Sequence, residues 1–174
     1  MSLLDRIKTS LYHRRIRTYL QKMGTKVVLP VNQSFDIGIL LLLDKNKNID
    51  DYIAFSKWLK ARDRNVDILV YNPFKEEWPN ASLNIINQVD NDWLGIPKND
   101  KVLEFCNKKI DLLINFDHLA DRTLEYVSSI SKASFKIGLS ESSFKAYDVL
   151  LQPSNKADTT KIKDVKNLVN LISQ

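Results

Sequence analysis

The sequence is poor in the residues that most enzyme chemistry needs. Among 174 residues there are one cysteine, two histidines and four glycines. A single cysteine, Cys106, excludes an intramolecular disulfide and points to a reducing compartment. His13, His118 and Cys106 stand far apart without ligand spacing, so the sequence offers no structural zinc site, and nothing in it calls for a metal or another cofactor. The glycines, Gly24, Gly38, Gly95 and Gly138, are scattered. A phosphate-binding turn needs several together so that backbone N–H groups can approach the phosphates. The turn after the first predicted strand reads "DKNKN", which excludes both a dinucleotide fingerprint and a P-loop. No apolar run approaches the roughly 18 residues that span a bilayer. The first residues also lack the apolar core and cleavage site of a secretory signal. The expectation is a cytoplasmic protein, with room for a peripheral place at the membrane.

Charge is present but uneven. Seven basic residues against Asp5 alone give +6 over residues 1–28, so a total of +5 leaves −1 for the rest. Residues 3–23 carry a helical pattern with two apolar stripes at 100° per residue. Leu3, Leu4, Ile7 and Leu11 share one face, with Arg14, Arg15 and Lys22 near it. Tyr12, Ile16, Tyr19, Leu20 and Met23 share the other. Two arrangements fit. In one, the second stripe docks on the body and the first faces outward as a partner-binding surface. In the other, the helix bends near His13 and buries both.

Beyond this segment the chain alternates. "FDIGILLLLD" (35–44) is a continuous apolar run, the pattern of a strand buried on both faces. A helix over 48–62 and a strand over 66–73 complete a β-α-β unit. Residues 72–98 break the rhythm with three prolines and two tryptophans, and "SLNIINQV" within them suits a short edge strand. Helices over 100–108, 119–133 and 158–174 then alternate with strands over 110–117, 134–140 and 147–153. The expected organisation is a basic helical segment, 1–28, followed by one α/β domain, 29–174. That domain is a three-layer Rossmann-like fold with a mostly parallel sheet of about five strands.

In such sheets ligands bind outside the carboxyl ends of the strands. Those ends carry Asp44, Asp117, His118 and Ser140 here, the candidates for catalysis or ligand binding. The simpler reading of Asp117 is that a strand-to-helix turn needs a capping carboxylate. Phe74, Trp78 and Trp93 are expected to form the local core of the long irregular segment rather than a stacking platform.

Four stretches, "DNDWLGIPK", "IDLLINF", "SISKASFKIGLS" and "YDVLLQP", resemble a small family of uncharacterised bacterial proteins of about this length. More distantly, "IDLLINF…LEYVSSISKASFKIGL" is similar to the N-terminal half of lipopolysaccharide heptosyltransferases, which implies a shared Rossmann-like fold. The nucleotide-sugar site of those enzymes lies mainly in their C-terminal half, and this chain is too short to hold that half. Transferase activity is therefore not carried over.

These readings favour a non-catalytic binding or adaptor protein. Its basic helix (Leu3, Leu4, Ile7, Leu11, Arg14, Arg15 and Lys22) would engage a protein partner, a larger assembly such as the ribosome, or an anionic membrane surface. The alternative is a glycosyltransferase-like or nucleotide-handling enzyme with its site on the strand-end rim. No motif for sequence-specific DNA binding is present.

Overall fold

A computed structural model describes residues 3–22, 36–44, 49–74, 83–155 and 157–172. The boundary expected at residue 28, and Met23, lie outside the described residues, as does the side chain of Lys22. The chain begins with helix α1 (Leu3–Lys22). Strand β1 (Asp36–Leu42), helix α2 (Ile49–Lys60) and strand β2 (Asn65–Asn72) follow as the β-α-β unit. Then come β3 (Asn84–Asn87), a 3-10 turn over Gln88–Asp90, and α3 (Asp100–Asn107). The chain finishes with β4 (Leu112–Asn115), α4 (Arg122–Ile130), β5 (Phe135–Gly138), β6 (Val149–Leu150) and α5 (Asp158–Ile172).

The strands form one sheet in the order β3-β2-β1-β4-β5-β6, and every pairing is parallel. The fold is a three-layer α/β, Rossmann-like sandwich. Its six strands are the five expected plus the edge strand β3. The two edges are short, four residues in β3 and two in β6, which limits the unpaired backbone they expose.

The continuous apolar run of β1 is explained by its position. Successive side chains on a strand point to opposite faces. Ile37, Ile39 and Leu41 enter the core shared with Tyr52 and Phe55 of α2 and Val165 of α5. Leu40 and Leu42 enter the core shared with Tyr12 and Ile16 of α1, Phe105 of α3 and Leu124 of α4. Both faces are covered, so no position on the strand can be polar without cost.

Strand order reverses between β1 and β4, with Ile37 opposite Leu112 and Leu40 opposite Asn115. Folds of this order commonly bind ligands at the carboxyl ends beside such a reversal. On the next strand Gly138 leaves no room for a side chain, since a Cβ there would overlap the ring of Tyr147. The ring lies against the strand and its hydroxyl accepts a 2.7 Å hydrogen bond from Asn115 Nδ2.

Candidate functional site

The candidate pair Asp117 and His118 divides between two tasks. Asp117 is buried, and its carboxylate closes the turn from β4 to α4. Oδ1 accepts from the Leu119 amide at 2.8 Å and Oδ2 from the Asp121 amide at 2.6 Å. Asn115 Oδ1 in turn accepts from the Asp117 amide at 2.9 Å. The turn passes through Ala120 in the left-handed region, at φ 56°. Asp121 then caps α4, accepting from the amides of Thr123 and Leu124. Burial pushes the Asp121 carboxyl above the ordinary aspartate range. The capping reading of Asp117 therefore describes its observed contacts.

His118 turns to α5. Its Nδ1 lies 3.3 Å from Lys161 Nζ, which also donates to Asp158 Oδ1 at 3.0 Å. Lys161 is only 2% exposed, an uncommon condition for a lysine. With the ammonium as donor, Nδ1 is the acceptor nitrogen of the ring. Neither Lys161 nor Asp158 was among the sequence candidates. The signal was there: at 100° per residue Lys161 falls inside the apolar stripe of Ile162, Val165, Leu168 and Val169, where a solvated lysine has no place. Asp44 is half-buried just past β1, and Ser140 is half-buried just past β5. Next to Ser140, Ser142 donates from its hydroxyl to Glu125 Oε1 at 3.0 Å.

A second feature lies on the α4 side of the same rim. The turn Asp92–Gly95 is held by Asp92 Oδ1, which accepts from the amides of Leu94 and Ile96 at 2.8 and 3.0 Å. Gly95 has φ 84°, a conformation other residues adopt only with strain. The turn buries Leu94 and Ile96 and leaves Trp93 61% exposed. This corrects the expectation that Trp93 forms local core: Leu94 and Ile96 supply the apolar material, and the turn holds the indole outward. Phe74 is half-buried against the main core beneath α2 and α5 rather than in a core local to the irregular segment, and Trp78 lies outside the described residues. Between this turn and the start of α4 runs a groove of about 430 Å³ lined by Trp93, Asn91, Asp121 and Arg122, among others.

The third feature is α1, which packs on α4 as a continuous helix. Tyr12 and Ile16 are fully buried in the core, and Leu20 packs partly against it. The Tyr12 hydroxyl donates to the Arg122 carbonyl oxygen at 2.6 Å and lies 3.2 Å from Glu125 Oε2. Arg122 Nη2 donates to Thr9 Oγ1 at 2.8 Å. The other stripe stays out, with Leu3 73%, Leu4 70%, Ile7 46% and Leu11 38% exposed. The bent helix with both stripes buried is therefore not what forms. Arg14 and Arg17 are exposed. Arg15 is exposed as well, and its Nη1 lies 3.6 Å from Asp92 Oδ2, tying the helix to the Trp93 turn.

Among the described residues no group of three or more His, Cys, Asp or Glu side chains could hold a metal ion. Among them, too, no helix is long and apolar enough to cross a membrane.

Fold and rim together define a parallel α/β protein whose strand-end turn is closed by its own carboxylate. The chain belongs to the family of unknown function DUF6913, whose model matches residues 8–172. No curated protein matches it.

Proposed function

We propose that the protein is a non-catalytic adaptor that sits on an anionic membrane surface through the outward face of α1. The supporting observation is the exposed row Leu3, Leu4, Ile7 and Leu11 on a helix whose opposite face is already docked. Exposed cations flank that row, with Arg6 close to it in sequence and Arg14 and Arg17 along the same helix. A helix with apolar residues on one side and cations beside them lies in the plane of a headgroup layer. Neither half suffices alone. Fully burying a leucine contributes about 1.5–3 kcal/mol, and these side chains are already partly covered. Each cation near an anionic surface adds about 1 kcal/mol. Binding therefore needs both halves, and it is sensitive to salt.

Co-sedimentation with phosphatidylglycerol-containing vesicles tests this reading. Binding at low salt, lost at high salt and absent with phosphatidylcholine vesicles, supports it. Retention of the chain by a protein or ribosomal fraction, without vesicle binding, favours the partner form of the adaptor reading over the membrane form.

Lys161 favours a second reading, a small-ligand site at the carboxyl ends of β1 and β4. A buried ammonium beside His118, just past the end of β4, supports this reading, since an anionic group entering there would find a positive charge. A thermal-shift screen of nucleotides and nucleotide sugars tests it. A ligand at 100 times its dissociation constant stabilises the fold by about 2.7 kcal/mol, and a flat screen removes this reading.

A further inference from the structure

We propose that the groove between the Trp93 turn and the start of α4 binds a neutral saccharide. Its volume of about 430 Å³ lies in the range of small-ligand sites. Trp93 lines it while 61% exposed, and the Asp92 and Gly95 backbone bonds hold the turn that presents the indole. A rigid, solvent-facing indole offers an apolar plane to the C–H face of a sugar ring.

The polar lining is centred on Asn91. Asn91 spends both amide hydrogens inward, donating to the hydroxyls of Tyr71 at 3.0 Å and Thr123 at 2.8 Å. Its Oδ1 is buried and has no hydrogen-bond partner among the described residues. Leaving a buried acceptor unsatisfied costs about 1–3 kcal/mol. Asn91 lines the groove, and a small shift of its side chain on binding brings this oxygen to a ligand hydroxyl. Asp121 and Asp92 line the same groove, with Oδ1 of each already accepting from backbone amides.

Charge selects against ionic ligands. The Arg122 guanidinium is turned toward α1, donating to Thr9 Oγ1 and lying 5.6 Å from the centre of the Tyr12 ring. Among the described residues the lining holds Asp92 and Asp121 and, beyond Arg122, no cation for a phosphate or carboxylate to meet. Arg15 beside Asp92, and Arg122 itself, offset those acids and leave little net charge to hold a cationic ligand. A polyhydroxylated, uncharged molecule fits the plane and the acceptors together.

Saturation-transfer NMR on the full chain tests this. The probes are glucose, galactose, mannose, N-acetylglucosamine, maltose, cellobiose and lactose, with AMP and lysine methyl ester as charged comparisons. We expect transfer to the ring C–H protons of at least one sugar and none to the charged probes. Trp93→Ala is expected to weaken that sugar's affinity about tenfold, with circular dichroism and melting temperature unchanged because the side chain is exposed. Asn91→Ala serves as a second variant, also weakening binding. Absence of transfer to every sugar overturns the proposal. So does affinity unaltered by Trp93→Ala, or preferential binding of a charged probe.

Discussion

Tyr12 and Arg122, far apart in the chain, are joined by a 2.6 Å hydrogen bond from the phenol to the backbone carbonyl. The bond pins α1 to the first turn of α4, just after the Leu3–Leu11 stripe ends. Burial and the neighbouring Glu125 carboxylate push the Tyr12 phenol far above the ordinary range, so it stays a neutral donor at any working pH. Tyr12→Phe keeps the ring and removes the donor. The expected cost is about 1–3 kcal/mol, read as a fall of roughly 2–4 °C in melting temperature per kcal/mol.

The two stripes of α1 differ in what their removal does. Ile16 is fully buried, so Ile16→Ala is expected to cost about 2–5 kcal/mol in urea unfolding. Leu20 is only partly buried, and its truncation falls below that range. Deleting residues 1–8 spares Tyr12 and the Thr9 contact and is expected to leave the unfolding midpoint nearly unchanged. If the deletion unfolds the body while Ile16→Ala does not, the inner and outer faces are reversed.

Those stripes were legible in the sequence because a helix repeats every 3.6 residues and each face declares its own composition. The sheet was legible for a similar reason: the unbroken run in β1 has no solvent-facing side. What was not legible depends on contacts distant in the chain or on backbone geometry. Trp93 is held out by a turn whose direction is set by the Asp92 carboxylate and a left-handed Gly95, not by hydrophobicity. His118 meets Lys161 from another element, so neither residue alone points to the pair. The capping role of Asp117 was legible because polar turns after strands need local acceptors. Strand order carries no local signal at all.

Lys161 makes a separate prediction. Lys161→Ala leaves a cavity and removes the ammonium from Asp158 and His118. Breaking a buried pair costs about 3–5 kcal/mol, with the lower end expected because Asp158 is partly exposed. Lys161→Met refills the space within the apolar stripe of α5 and is expected to cost less. Equal losses for the two variants, in denaturant titrations, contradict packing as a major part of the lysine's role.

Cys106 is buried between α3 and α4, and burial pushes its thiol from an ordinary 9.0 up to about 12, against a small opposing effect of Lys136. The folded protein favours the neutral thiol. This contribution to stability is whole below pH 9.0 and is lost as pH rises from there toward about 12. At pH 8, thiol reagents are expected to label the native protein only as fast as it opens, and to label it at once in denaturant. Rapid native labelling contradicts the burial.

Hydrogen–deuterium exchange with and without phosphatidylglycerol vesicles tests the membrane proposal most directly, because it locates the contact as well as detecting it. The exposed first turns of α1 exchange readily in the free chain. With vesicles, slowed exchange is expected over residues 3–11 and nowhere else in the protein, and the protection is expected to vanish when Leu4 and Ile7 are replaced by Asp. Unchanged exchange over residues 3–11, or protection centred on the strand-end rim instead, contradicts the proposed role of α1.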